Sequence, residues 1–277
     1  MNNSDGIRPI YDADFYSAQS SSSYLSAMKM LSYLFECYRP RSVVDVGCGV
    51  GSWLSVAREL GAEEVLGLDG ECVDVGTLKI PKESFLATDL EQPLKIEHEA
   101  DLCISVEVAE HLSAARAPAL VRELTSLAPV VLFGAAIPGQ GGVHHINLQW
   151  PAFWIDLFEQ NGYSAIDCMR IPFWDDPGVD FWYAQNTLVY YDVQREDLRR
   201  TLAGLPNIEP AGLPLVHPNL YHSYLFDFEH GSLPKKAQQL RLALERAIGK
   251  RLGLGSRWGG PPPAPVRGSR AAHTQHG

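Results

Sequence analysis

Positive charge is scarce in this chain. Its 33 Asp and Glu outnumber 23 Lys and Arg, for a formal net charge of −10. A chain this acidic is a poor partner for nucleic-acid phosphates or an anionic membrane surface, so neither is expected as a partner. Long apolar runs are missing too. No stretch of about 18 apolar residues could span a bilayer, and no basic-then-apolar start reads as a signal peptide. The five cysteines include no C-x-x-C pair. Cys37, Cys72, Cys103 and Cys168 sit in or beside apolar runs and read as buried free thiols of a reducing cytosol. No Cys/His spacing suggests zinc; for an oxygen-ligated Mg²⁺, Glu107, Glu110, Asp175 and Asp176 are candidates by type alone, DDPG reads more simply as a turn, and no metal ligand is assigned. A cytoplasmic protein with a small-molecule substrate remains. Its 277 residues, 45% hydrophobic and 20% charged, suffice for one sizeable core and an appendage, and a homo-oligomer is compatible with them.

Strand and helix patterns alternate over residues 40–191. Leu25, Met28, Leu31, Leu34 and Phe35 give a helix that starts at Ser22 and ends before Pro40. Strands are expected at 42–47, 65–69, 84–90, 101–108, 130–138, 164–171 and 181–191. Helices are expected at 52–60, before Pro129, and from Pro151 to Asn161-Gly162. The turn-rich link DDPG before the last strand suggests an antiparallel final pair. This is an α/β chain with a doubly wound, seven-stranded sheet. Its domain limits read as an arm at 1–21, a main domain at 22–192, an extension at 193–254 and a disordered Pro/Gly-rich tail at 255–277. Within the extension, residues 192–235 read as irregular and 236–252 as a basic amphipathic helix.

The most telling run is VVDVGCGVGSW at 43–53, followed by LGLDG at 66–70. A strand leads into Gly47, Gly49 and Gly51 and then at once into a helix with Trp53, Val56, Ala57 and Leu60 on one face. Such a turn lets backbone approach a ligand where a Cβ would not fit. Asp69, 22 residues after Gly47, ends the next apolar run and can accept both hydroxyls of a ribose. A dinucleotide site favours G-x-G-x-x-G, with the pyrophosphate at the helix start. Here the order is D-x-G-x-G-x-G, and Asp45 would repel a pyrophosphate. It suits a ligand with positive charge near its ribose.

On these residues the chain resembles the class I S-adenosylmethionine-dependent methyltransferases. VVDVGCGVGSW, EVAEHL, AAIPGQGG, HHIN-x-QWP and WYAQN also resemble uncharacterised bacterial small-molecule and sugar methyltransferases over residues 20–191. The resemblance implies a Rossmann-like fold and S-adenosylmethionine as cofactor. It places Asp45, Gly47, Gly49 and Gly51 at the amino-acid end of the cofactor, Asp69 at the ribose, Asp89 and Leu90 at the adenine, and Glu107 near the methionine moiety.

The acceptor side is expected in AAIPGQGGVHHINLQWP, residues 135–151, which leaves the fifth strand at the ligand-binding edge. An imidazole suits removal of a hydroxyl proton. His145 is the favoured base because it shares the strand period with Asn147 and Gln149; His144 and then His111 are the alternatives. Asn147 and Gln149 can orient a polyhydroxylated acceptor, and Trp150 can stack on it. Tyr183, Gln185 and Thr187 would share one strand face, with Tyr183 and Gln185 reaching the acceptor. The expected activity is O-methylation of a hydroxyl on a small polar acceptor, such as a sugar or nucleotide-sugar. The alternatives are a non-catalytic cofactor-binding scaffold, or an N- or carboxyl-methyltransferase acting on a small molecule. Base N-methylation of nucleic acid is disfavoured, because SVEVAE stands where that class carries N/D-P-P-Y/F.

Overall fold

A computed structural model describes residues 13–96 and 98–230. The strands are β1 (Ser42–Val46), β2 (Glu64–Asp69), β3 (Phe85–Ala87), β4 (Leu102–Val106), β5 (Val130–Gly134), β6 (Tyr163–Ile166) and β7 (Leu188–Asp192). The helices are α1 (Ala13–Cys37), α2 (Ser52–Glu59), α3 (Ala117–Leu127), α4 (Pro151–Gln160), α5 (Arg170–Phe173), α6 (Phe181–Asn186), α7 (Glu196–Leu202) and α8 (Pro218–His230). The sheet runs β3-β2-β1-β4-β5-β7-β6. β7 is antiparallel to both β5 and β6, and the remaining pairs are parallel. The doubly wound sheet and its antiparallel end are as expected.

Period-two burial explains the layers. Val43, Ile104, Val130 and Leu132 face one side, where α1 and α2 pack on them through Met30, Leu34, Trp53 and Val56. Val44, Cys103, Val131 and Phe133 face the other, against α3 and α4. There Phe158 stacks on Tyr190 with ring centroids 3.8 Å apart. Strand order reverses between β1 and β4, so the crevice at a topological switch point opens beyond Val46 and Val106.

Several elements differ from expectation. The stretch 181–186 is helix α6, not strand: Tyr183 and Ala184 donate to the Asp180 carbonyl. Four consecutive residues, Tyr183 to Asn186, are buried. A half-buried strand alternates, whereas a helix wedged between the sheet and α1 can bury neighbours. Only 188–192 remains strand. The expected strand 164–171 stops at Ile166, where Asp167 turns inward to Arg170 and α5 begins. The third, fourth and fifth strands are shorter than read, because their last residues leave the ladder to form site loops. α1 begins before Ser22, and the region read as irregular contains α7 and α8, the latter opened by Pro218. Cys103 and Cys168 are buried free thiols as expected, and so is Cys48, but Cys37 is only half-buried and Cys72 is exposed on the loop after β2. The helix expected at 236–252 and the tail lie outside the described residues. Among the described residues, no helix is long and apolar enough to cross a membrane.

Candidate active site

The β1–α2 turn has the geometry its glycines allow. Gly47, Gly49 and Gly51 adopt φ of +89°, +53° and +82°, values that side chains disfavour. A Cβ on Gly47 would lie 2.2 Å from Val108 Cγ2, so this glycine serves close packing. A Cβ on Gly49 would meet nothing within 4 Å. Gly49 instead faces a cleft of about 110 Å³ lined by Asp45, Gly47, Trp53, Glu107 and Tyr183.

Three acids set the charge here: Asp45 and Glu107 line the cleft, and Asp69 bonds the turn beside it. Asp69 ends β2, and its carboxylate accepts hydrogen bonds from the N–H of Gly49 (2.6 Å) and of Gly70 (2.7 Å). Burial raises its pKa, and the two backbone donors oppose the rise. Asp45 is only 2% exposed. Burial, and then the charge of Asp69, push its carboxyl well above the usual carboxylate range. A cation in the cleft would relieve both effects, so this donor set fits a ligand carrying sulfonium and ammonium charge and a ribose diol. Asp89 is exposed just past β3, where its Oδ1 accepts the Glu91 N–H at 3.0 Å. Leu90 packs into the α3 side of the core.

Glu107 stands at the end of β4 with φ +58°. A non-glycine residue there is strained, a feature that clusters at functional sites. Its carboxylate accepts from Gln140 Nε2 (2.8 Å) and Asn186 Nδ2 (2.7 Å). Burial lifts its pKa to about 7 against those two donors. Gln140 Oε1 also accepts from Gln185 Nε2 and Asn186 Nδ2, each at 3.0 Å. Gln185 Oε1 accepts the His217 N–H at 2.8 Å. The Asn219 N–H donates to His217 Nδ1 at 3.1 Å, so the ring proton is on Nε2 and goes to the Trp174 carbonyl. Gln185 is thus fully buried and engaged at both ends within the protein, rather than open to an acceptor. Tyr183 turns to the cofactor side: its hydroxyl is 3.0 Å from Ser23 Oγ and its ring lies edge-on to Trp53.

The loop from β5 to α4 folds back over the turn after β4. Ile146 and Asn147 donate their N–H to the Glu110 carbonyl at 2.8 and 3.0 Å. This brings His145 to His111, with ring centroids 4.8 Å apart and planes at 89°. The backbone turns at His144, φ +56°, so the expected strand alternation fails. His144 is exposed, while His145 is half-buried. Asn147 is buried, donating to the Ala109 carbonyl and accepting from Gln149 Nε2, so it shares no open face with His145. Trp150 is half-buried at the start of α4. Burial lowers the pKa of His145; burial and the neighbouring histidines lower that of His111 to about 4. Both imidazoles are therefore neutral at pH 7. Glu110 is fully buried, and no hydrogen-bond donor of good geometry meets its carboxylate oxygens; burial, and then the charge of Glu107, push its carboxyl well above the usual carboxylate range.

Sequence reasoning passed over Gln140, Asn186 and His217. Only Gln140, set among the glycines of PGQGG, carried a local signal.

The model of a family described as a methyltransferase domain matches residues 23–175. The chain belongs to that family. It is a methyltransferase, and its methyl donor is S-adenosylmethionine. No curated protein sequence matches it. Among solved structures it is similar to a magnesium protoporphyrin IX methyltransferase from Synechocystis, with 18% identity and a TM-score of 0.48 over 66% of this chain and 89% of that one. It is also similar to an O-methyltransferase family protein from Burkholderia thailandensis, with 14% identity and a TM-score of 0.49 over 66% and 60%. A TehB-like methyltransferase from Corynebacterium glutamicum gives 17% identity and a TM-score of 0.43 over 60% and 87%.

Proposed function

We propose that this methyltransferase transfers its methyl group to a hydroxyl of a small polar acceptor, of which a sugar or nucleotide-sugar is the best fit. The observation that carries the reading is the polar bed beside the cofactor cleft. His111, His145 and Glu110 lie together on the loops leaving β4 and β5, one turn from Glu107. Aliphatic hydroxyls are poor nucleophiles and need polar groups around the reacting oxygen, whereas a carboxylate or amine acceptor needs them less.

In this reading Asp69 takes the ribose hydroxyls of S-adenosylmethionine, Asp89 and Leu90 meet the adenine, and Asp45, Gly47, Gly49, Gly51 and Glu107 hold the amino-acid end. The bound donor supplies an electrophilic methyl group. The protein contributes orientation, with Gln149 and Trp150 at the acceptor. The acceptor oxygen forms the new O–CH₃ bond as the S–CH₃ bond breaks. The bonding pair returns to sulfur, giving S-adenosylhomocysteine, and the hydroxyl proton passes to water.

The test supplies S-adenosylmethionine with a labelled methyl to separate panels of sugar nucleotides, free sugars, phenols, carboxylic acids and amines. The expected product is an O-methyl ether within the sugar panels. Turnover confined to carboxylic acids or amines would overturn the reading.

A further inference from the structure

We propose that Glu110, His111 and His145 form a binding site for a divalent first-row transition-metal ion, which presents the acceptor's hydroxyl oxygens to the methyl donor. The use made of the metal rests on the hydroxyl-acceptor reading above; the site itself rests on geometry alone.

Four observations converge. One ligand atom from each of the three residues lies within 4.8 Å of the others, close enough for one ion to draw them in. Glu110 is fully buried, and both its carboxylate oxygens lack a hydrogen-bond partner. A carboxyl buried in that state is costly as an anion unless a proton or a cation meets it. Backbone also holds the His145 ring at one nitrogen. His145 Nδ1 lies 3.3 Å from the Gln140 carbonyl, and the Val143 backbone lies beside the His111 ring. Metal-ligating histidines are held in this way, which leaves the other nitrogen's lone pair free. Finally, Gly142 admits the His145 ring: a Cβ there would stand 2.1 Å from Nε2.

The donor set decides the class of ion. Two imidazoles and one carboxylate suit manganese, iron, cobalt or zinc better than magnesium or calcium, which favour oxygen alone. Three protein ligands leave coordination positions open. Neighbouring hydroxyls of a sugar can fill such positions as a pair. On this inference His145 is a ligand and does not take up the proton, which differs from the expectation drawn from the sequence. Ligand spacing could not reveal the site, because His145 joins the other two only when the β5–α4 loop folds back. Asp175 and Asp176, candidates by type, are not part of this cluster; Asp176 pairs with Lys29 at 2.8 Å.

The test titrates Co²⁺ into the full chain without donor or acceptor and follows the visible d–d absorption. Wild type and His144→Ala should develop the bands of a nitrogen-ligated ion. His111→Ala, His145→Ala and Glu110→Gln should each lose them or weaken binding at least about 10- to 100-fold. Unchanged affinity for S-adenosylhomocysteine in those variants shows that they are folded. No Co²⁺ or Mn²⁺ binding by wild type, or equal binding by the His111 and His145 variants, would overturn the site. Methyl transfer that survives exhaustive chelation would overturn its use in acceptor binding. Neither result touches the hydroxyl-acceptor reading, which the product analysis decides.

Discussion

At the scale of single residues, Gly47 and Gly49 do different work in one turn. Gly47→Ala drives a methyl group into Val108 in a left-handed conformation and should lower stability by about 1–3 kcal/mol in urea unfolding. Gly49→Ala adds a methyl into open space beside the cleft. It should leave more of the stability intact yet lose more S-adenosylhomocysteine affinity, and calorimetry on both variants checks the contrast. On the proposed assignment of Asp69 to the ribose, Asp69→Ala should weaken cofactor binding by about 1.5–3 kcal/mol, the scale of hydrogen bonds to a charged group. Undiminished affinity by calorimetry would remove Asp69 from the cofactor site.

At the scale of elements, the edge of the sheet depends on one buried ion pair. Asp167, just after β6, and Arg170, in α5, are buried together, with Arg170 Nε 2.9 Å from Asp167 Oδ1. Arg170 also donates to the Leu213 carbonyl at 2.7 Å, and the Asp167 backbone and carboxylate take N–H groups from Ile208 and Gly212. The pair therefore ties the 207–213 segment to the sheet. Arg170→Met leaves a buried carboxylate unpaired and should cost about 3–5 kcal/mol. Replacing Asp167 by Asn in the same chain should recover part of that loss in thermal unfolding. The α6 network behaves similarly. Gln185→Leu leaves the His217 N–H and Asn186 Oδ1 without their partner, at about 1–3 kcal/mol for each buried group left unsatisfied. It should lower the melting temperature and change the pH profile of turnover, because Gln140 and Asn186 are what hold the Glu107 carboxylate. A changed melting temperature with an unchanged profile would make the network purely structural.

At the scale of the whole molecule, a ligand that binds only the folded chain raises its stability. S-adenosylhomocysteine at about 100 times its Kd should add about 2.7 kcal/mol, read as a higher melting temperature. NAD should add nothing, because the buried Asp45 and Asp69 oppose a pyrophosphate. Stabilisation by NAD alone would contradict the charge argument for the cleft.

The sheet, its order of elements and the glycine turn after β1 were legible in the chain because each rests on local rules. Burial alternates every two residues in a strand, helices follow their own period, and Gly47, Gly49 and Gly51 mark backbone that a side chain would strain. The acid after β2 lies a fixed distance from that turn for the same reason. Other features needed the tertiary structure. WYAQN is helical because its site between sheet and α1 buries successive residues, which outweighs a β-prone composition. Gln140, Gln185, Asn186 and Glu107 meet only because the β5–α4 loop and α6 converge on the end of β4. His145 reaches His111 and Glu110 through a backbone turn at His144 that no spacing rule encodes. Local sequence determines where the chain turns and what it buries; which polar groups share one low-dielectric space depends on loops that are held by residues far away in the chain.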